Sequence, residues 1–149
     1  MVTRFAPAAF LAILALAGCT TQPVDQPQSA TFEMVIKEID ADKTERVVQR
    51  PYLSTVLNKE SEWASLATHQ SLEGTSREGY TVQVLPKVDS NPAKTGKAVL
   101  ASFLVHQYTP TGETSFSNTY SLGLNDAAIS NWAAGGKQYV FEARLTSLQ

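Results

Sequence analysis

The sequence predicts a mainly β protein, a single antiparallel β-sandwich-like domain of about seven or eight strands with at most one short helix. Three observations predict it. Apolar and polar residues alternate with a period of two through most of the chain after residue 30, the pattern of strands with one buried and one wet face. Turn-forming clusters, Asp40-Ala41-Asp42-Lys43, Pro110-Thr111-Gly112-Glu113 and Gly135-Gly136, separate the runs. The 149 residues, 43% hydrophobic and 17% charged, supply one core and hence one domain.

Taken in order, residues 31–39 alternate Phe32, Met34 and Ile36 against Glu33 and Lys37. The turn at 40–43 lets residues 44–50 return as a second strand. Pro51 interrupts, and strands at 52–57 and 63–68 flank a polar stretch at 58–62. Residues 69–78 read as a loop. The clearest strand is 79–88, with Tyr80, Val82, Val84, Pro86 and Val88 on one face and Thr81, Gln83 and Lys87 on the other. Pro86 lacks an amide hydrogen and so marks a strand end or an edge. A turn-rich loop at 89–96 follows. Residues 97–109 are apolar on both faces, as a central strand requires. The turn at 110–113 leads into a strand at 114–124. Residues 125–134 are expected to form the one short helix, capped by Asn125 or Asp126 and ended by Gly135-Gly136. The last strand, 137–147, alternates Tyr139, Phe141, Ala143 and Leu145. No internal repeat is visible.

The start of the chain has a different character. Arg4 is the only charge before Cys19, and residues 5–17 (FAPAAFLAILALA) are uncharged and mostly apolar. That run is shorter than the roughly 20 residues a membrane-spanning helix needs, and its layout is that of an export signal. The alternative is a retained anchor helix. Against it stands Leu16-Ala17-Gly18-Cys19, which holds the chain's one cysteine. This tetrapeptide resembles the bacterial lipobox. The resemblance implies cleavage between Gly18 and Cys19, a diacylglyceryl thioether on the Cys19 thiol and a further acyl chain, of the palmitate kind, on the new amino group. It also implies that Thr20, in place of aspartate, sends the product to the outer membrane, facing the periplasm. The expected organisation is a lipoprotein signal peptide at 1–18, a lipidated N-terminus and flexible tether at 19–30, and a β domain at 31–149. The tether reading rests on TTQPVDQPQSA, residues 20–30, which is rich in Gln, Pro, Ser and Thr.

Charge narrows the partners. The chain carries 12 basic and 14 acidic side chains, a formal charge of −2. Without Arg4 there are 11 basic groups against the same 14, or −3. No Lys/Arg cluster is present to neutralise phosphates, so neither a nucleic acid nor an anionic lipid surface is an expected electrostatic partner.

Candidate chemistry is sparse. His69 and His106 are the only histidines, which with one cysteine rules out a Cys₂His₂ or Cys₄ zinc site within one chain. His69 is expected to face solvent and His106 to be a satisfied or half-exposed strand residue. The segment Gly74-Thr75-Ser76-Arg77-Glu78-Gly79 has one residue too many for a nucleophile elbow and leads into no helix. Gly96-Lys97 is followed by Ala98 rather than the Ser or Thr of a phosphate loop. Glu38, Asp40, Asp42 and Glu45 could offer oxygens to calcium, yet the glycine that turns such a loop is absent, and a solvated hairpin tip is the expectation. Trp63, Trp132, Tyr52, Tyr80, Phe103, Phe116 and Tyr139 are read as core. No catalytic residue, metal ligand or cofactor is assigned, and no binding residue is identified.

From Pro51 onward the order of elements resembles the β-domain of secretins, the outer-membrane pores of type II and III secretion and type IV pili. The residues that carry the resemblance are Pro51-Tyr52-Leu53-Ser54-Thr55, Ala64, the run Gly79-Tyr80-Thr81-Val82-Gln83-Val84-Leu85-Pro86-Lys87-Val88, the strand at 99–105 and Gly135-Gly136. Secretins are several hundred residues long with periplasmic modules this sequence lacks, so a pore would require many assembled copies. The expectation that follows is a non-enzymatic, membrane-anchored accessory or assembly factor of an envelope system, secretion or pilus-like, acting through an envelope protein partner. The alternative is a lipid-anchored module that binds a small molecule or glycan.

Overall fold

A computed structural model describes residues 28–90 and 98–149. Among them are nine strands and no helix: β1 (Ser29–Ile39), β2 (Glu45–Gln49), β3 (Tyr52–Val56), β4 (Ser61–Ser71), β5 (Gly74–Val88), β6 (Ala98–Thr109), β7 (Gly112–Gly123), β8 (Ala127–Ala134) and β9 (Lys137–Leu148). They form two antiparallel sheets. One runs β2-β1-β9-β8, with β3 continuing the β2 edge of β1; the other runs β4-β5-β6-β7. Pro51, buried between β2 and β3, breaks that edge in two while its carbonyl still accepts from Met34 N at 2.9 Å.

The two inner faces supply the core. Phe32, Met34 and Ile36 of β1 and Phe141, Ala143 and Leu145 of β9 meet Val82 and Val84 of β5 and Val99, Ala101, Phe103 and Val105 of β6, all at 1% exposure or less. Phe103 is the hub. Its ring lies edge-on to Phe32 at 5.5 Å and to Phe141 at 5.4 Å, both across the sandwich. Alternation along each strand produces this arrangement, because a period of two sends every second side chain to one face.

The expected helix at 125–134 does not form. Ala127–Ala134 is β8, paired with β9 from Ala127↔Arg144 to Ala134↔Lys137. Its alanines favour a helix, but Ala128, Ser130 and Trp132 share the inward phase of a strand, and packing overrides propensity. Asn125, at φ 69°, turns the chain instead of capping a helix, and Asp126 Oδ2 accepts from Gly123 N at 2.8 Å. Residues 69–78 are not a loop either. They continue β4 and β5 as a regular ladder to Ser71↔Gly74, closed by Leu72 and Glu73. Pro86 sits within β5, opposite Ala101 of β6. Its carbonyl accepts from Asn58 N at 2.7 Å on the flank of β5 just before β4 begins, so its hydrogen-less nitrogen also points away from β6. As expected, β6 is central, between β5 and β7.

The sandwich has two unlike ends. At one, Gln28 N and Ser29 N donate to Gln149 O at 2.5 and 2.8 Å, and Leu57 N donates to Gln28 O at 2.9 Å, so both ends of the described chain leave together. At the other lie the turns β1–β2, β6–β7 and β8–β9 and the β4–β5 ribbon. That ribbon outruns its sheet. β6 reaches only to Gly79↔Tyr108, whereas β4 and β5 stay paired for five further rungs, about 17 Å at strand rise. Residues 67–71 are exposed, and the tip Leu72 is fully so.

Candidate functional site

The turn-bearing end holds the most elaborate group of polar side chains. β1 runs Phe32, Met34, Ile36 and then Glu38 in one inward phase, which carries a carboxylate into the end of the core at 5% exposure. Two cations meet it. Lys137 Nζ, the first residue of β9, donates to Glu38 Oε1 at 2.7 Å, and Arg46 Nη2, opposite on β2, donates to the same oxygen at 3.2 Å. The Lys137 bond holds the Glu38 carboxyl below the usual carboxylate range despite its burial, with Arg46 adding to the effect. The same bond raises Lys137 above an ordinary lysine. Glu38 and Lys137 are therefore charged at neutral pH. A buried ion group needs such pairing, because an unpaired charge there is strongly disfavoured.

Aromatic rings complete the wall. Tyr139 stacks on Trp132 at 5.1 Å, and Trp132 packs on Phe116 at 4.7 Å. Trp132 Nε1 donates to Gln107 Oε1 at 3.1 Å, and Gln107 Nε2 donates to Tyr80 Oη at 3.3 Å, a chain that links the two sheets. Burial, with Tyr139 and Glu38 nearby, pushes the Tyr80 hydroxyl up to about 12, so it keeps its proton. Glu38, Arg46, Lys137, Tyr139, Tyr80 and Gln107 border a half-open cleft of about 680 Å³ whose further lining includes Glu78, Tyr108, Thr109 and Thr111, while Trp132 and Phe116 back Tyr139 from behind. A smaller hollow of about 470 Å³ on the outer face of the β4–β7 sheet is lined by Ser102, Ser117, Thr119 and Gln83, with Glu60 as its charged side chain.

The residues singled out from sequence are dispersed. Gly18 and Cys19 lie outside the described residues, as does Gly96-Lys97. Among the carboxylates of the first hairpin, Glu38 is buried with its cations, Glu45 pairs with Lys37 at 2.9 Å, and Asp42 Oδ1 accepts from Thr44 N within the turn, so they do not converge on one point. His106 lies on the outer face of β6, bonded through Nδ1 to Glu113 at 2.5 Å and stacked on Tyr108. His69 is exposed, opposite Ser76 in the ribbon and 3.7 Å from Glu78. This brings a serine, a histidine and a carboxylate to one face of the ribbon. No bond joins Ser76 to His69 among the described residues, and an exposed two-stranded ribbon has no wall of donors for an oxyanion. Trp63 packs on the core from β4. Trp132 does as well, and it also borders a hollow of about 380 Å³ with Ile39 and Tyr139.

Arg46, Lys137 and Gln107 were not singled out by the sequence, and Glu38 was read as part of a wet tip. The signal was phase. Glu38 and Gln107 fall in the apolar register of their strands, where a polar residue must have a dedicated partner. Comparison of the chain with protein-family models, with curated proteins and with solved structures gave no match.

Proposed function

We propose that this protein is a lipid-anchored lipoprotein of the outer membrane, facing the periplasm, and that it serves as a non-enzymatic accessory or assembly factor of an envelope system through protein–protein contacts. One observation carries the contact part of this reading. β4 is an edge strand of eleven residues with unbroken register, no proline, no lysine and no bulge. Free edges are ordinarily blunted by such devices, because unpaired amides and carbonyls recruit other strands. An unblunted edge fits partner binding by strand addition. The β4–β5 ribbon prolongs it on the far side of the sandwich from Gln28, the residue through which a tether would enter. β1 alone spans about 35 Å between those ends. The tether expected at 19–30 ends earlier, because Ser29 and Ala30 already belong to β1, and it would hold the body with ribbon and cleft turned away from the membrane while the β4 edge runs outward from the level of Ala30. The anchoring part rests on the lipobox resemblance at Cys19. The secretin resemblance supports a secretion- or pilus-like setting.

The test has two arms. The exported protein should label with a palmitate analogue and fractionate with the outer membrane, and Cys19→Ser should do neither. A photocrosslinker placed at Ala64 should give one discrete adduct that is lost when Leu66 and Thr68 are replaced by lysine. Recovery of mature protein with Cys19 unmodified and still joined to Gly18 would overturn the anchoring, and an adduct indifferent to the lysines would overturn the edge.

A further inference from the structure

We infer that the cleft at the turn-bearing end is a binding site for a neutral saccharide. The inference is independent of the edge contact proposed above and uses different residues. Its first support is a hydroxyl without a hydrogen-bond partner, carried by an otherwise buried ring. Tyr139 is 5% exposed, its ring is held by Trp132, and its hydroxyl makes no hydrogen bond among the described residues. No solvent-shielded side-chain nitrogen or oxygen among those residues lacks a partner, so this hydroxyl opens onto the cleft it borders. Glu38 behaves alike. Both of its cations bond Oε1, which leaves Oε2 as an acceptor without a partner among the described residues.

The second support is the pattern of donors and acceptors. Arg46 and Lys137 each give one bond to Glu38 and are about half exposed, so their remaining N–H groups face the opening. An open acceptor, an open hydroxyl and several open donors therefore stand together. A sugar hydroxyl is donor and acceptor at once and can satisfy both kinds of neighbour. Charge balance selects a neutral ligand, since Arg46 and Lys137 are matched by Glu38 and Glu78 within the same lining.

The third support is the wall. Tyr80 is half-buried on the sheet opposite Glu38, in the inward phase of β5, and offers a ring against which the C–H face of a sugar packs. The volume, about 680 Å³, lies within the range of roughly 300–1,000 Å³ for ligand clefts.

Calorimetric titration of the detergent-solubilised full protein against chitotriose, maltotriose, trigalacturonate and trialanine tests the site. The expected result is saturable binding of a neutral trisaccharide that weakens roughly three- to tenfold in Tyr139→Phe, the loss of one hydrogen bond. That variant keeps the ring and its stacking, and an unchanged thermal midpoint establishes that it is folded. Tyr80→Ala should weaken binding as well. Three outcomes overturn the inference: no heat from either neutral sugar, binding that Tyr139→Phe leaves unchanged, or tighter binding of trigalacturonate or trialanine than of both neutral sugars.

Discussion

Gly79 stands where the ribbon leaves the sheet, and replacing it should be among the most damaging single changes to this fold. Its φ of +134° lies where residues with a side chain are strained. A Cβ added there would lie 2.0 Å from the Ser65 carbonyl oxygen and 3.0 Å from its carbon, backbone atoms that move only if β4 and β5 part. Gly74 is a built-in control, because it has nearly the same φ, +135°, and nothing within 4 Å of the added carbon. Backbone strain of this kind costs about 1–3 kcal/mol. Gly74→Ala should cost no more than that, since the ribbon tip can fray locally without unfolding the sandwich. Gly79→Ala carries the same strain plus separation of the strands at their root, and we expect about 3–5 kcal/mol in total, the range of exceptional point mutants. A domain of this kind is stable by about 5–15 kcal/mol, so the difference is large on that scale. Urea titration followed by tryptophan emission, with both variants at equal slope, gives the comparison directly. Equal destabilisation of the two variants would refute the argument that close approach, and not conformation alone, fixes glycine at 79.

Other consequences are open to the same measurement. Phe103→Ala removes the ring that touches both Phe32 and Phe141 across the sandwich and should cost about 3–5 kcal/mol; a loss under 1 kcal/mol would show that the two sheets close over the gap. The lowered carboxyl of Glu38 gives stability that is present above its unfolded value near 4.5 and is lost as pH falls through the lower folded value. Glu38→Gln should therefore flatten the acid limb of a stability–pH curve below about pH 4.5, and an unaltered limb would mean that other carboxylates set it. Lys43, at φ 68° in the β1–β2 turn, holds a conformation that glycine takes freely, so Lys43→Gly should raise the urea midpoint by the equivalent of about 0.5–1 kcal/mol. A lowered midpoint would place that residue's contribution in its side chain.

Period and phase account for what could be read in advance. The inward series of β1, β5 and β9 follow from alternation alone, and each packs in or against the core; β6, apolar on both faces, is legible only as a central strand. Residues 127–134 were misread because alanine favours a helix by local preference, while the deciding fact, pairing with β9, depends on residues that follow later in the chain. The ribbon was misread for a related reason. Residues 69–78 bury almost nothing, so no hydrophobic alternation marks them, and only the backbone ladder to β4 keeps them extended. At the cleft, Glu38 and Gln107 were legible as polar residues in apolar phase. Their partners were not, because Lys137 stands 99 residues from Glu38 and pairs with it only through the β1–β9 register.

That register has a mechanical side. β1 is flanked by β9 from Ala30↔Leu148 to Ile39↔Gln138, and on its other flank by β3 and then β2. A pull entering at Gln28 against a load held at the turn-bearing end runs along β1, so the rungs on both flanks are strained in parallel and cannot be unzipped one by one. The body would then transmit force between its two ends as a stiff link, yielding only when many rungs fail together.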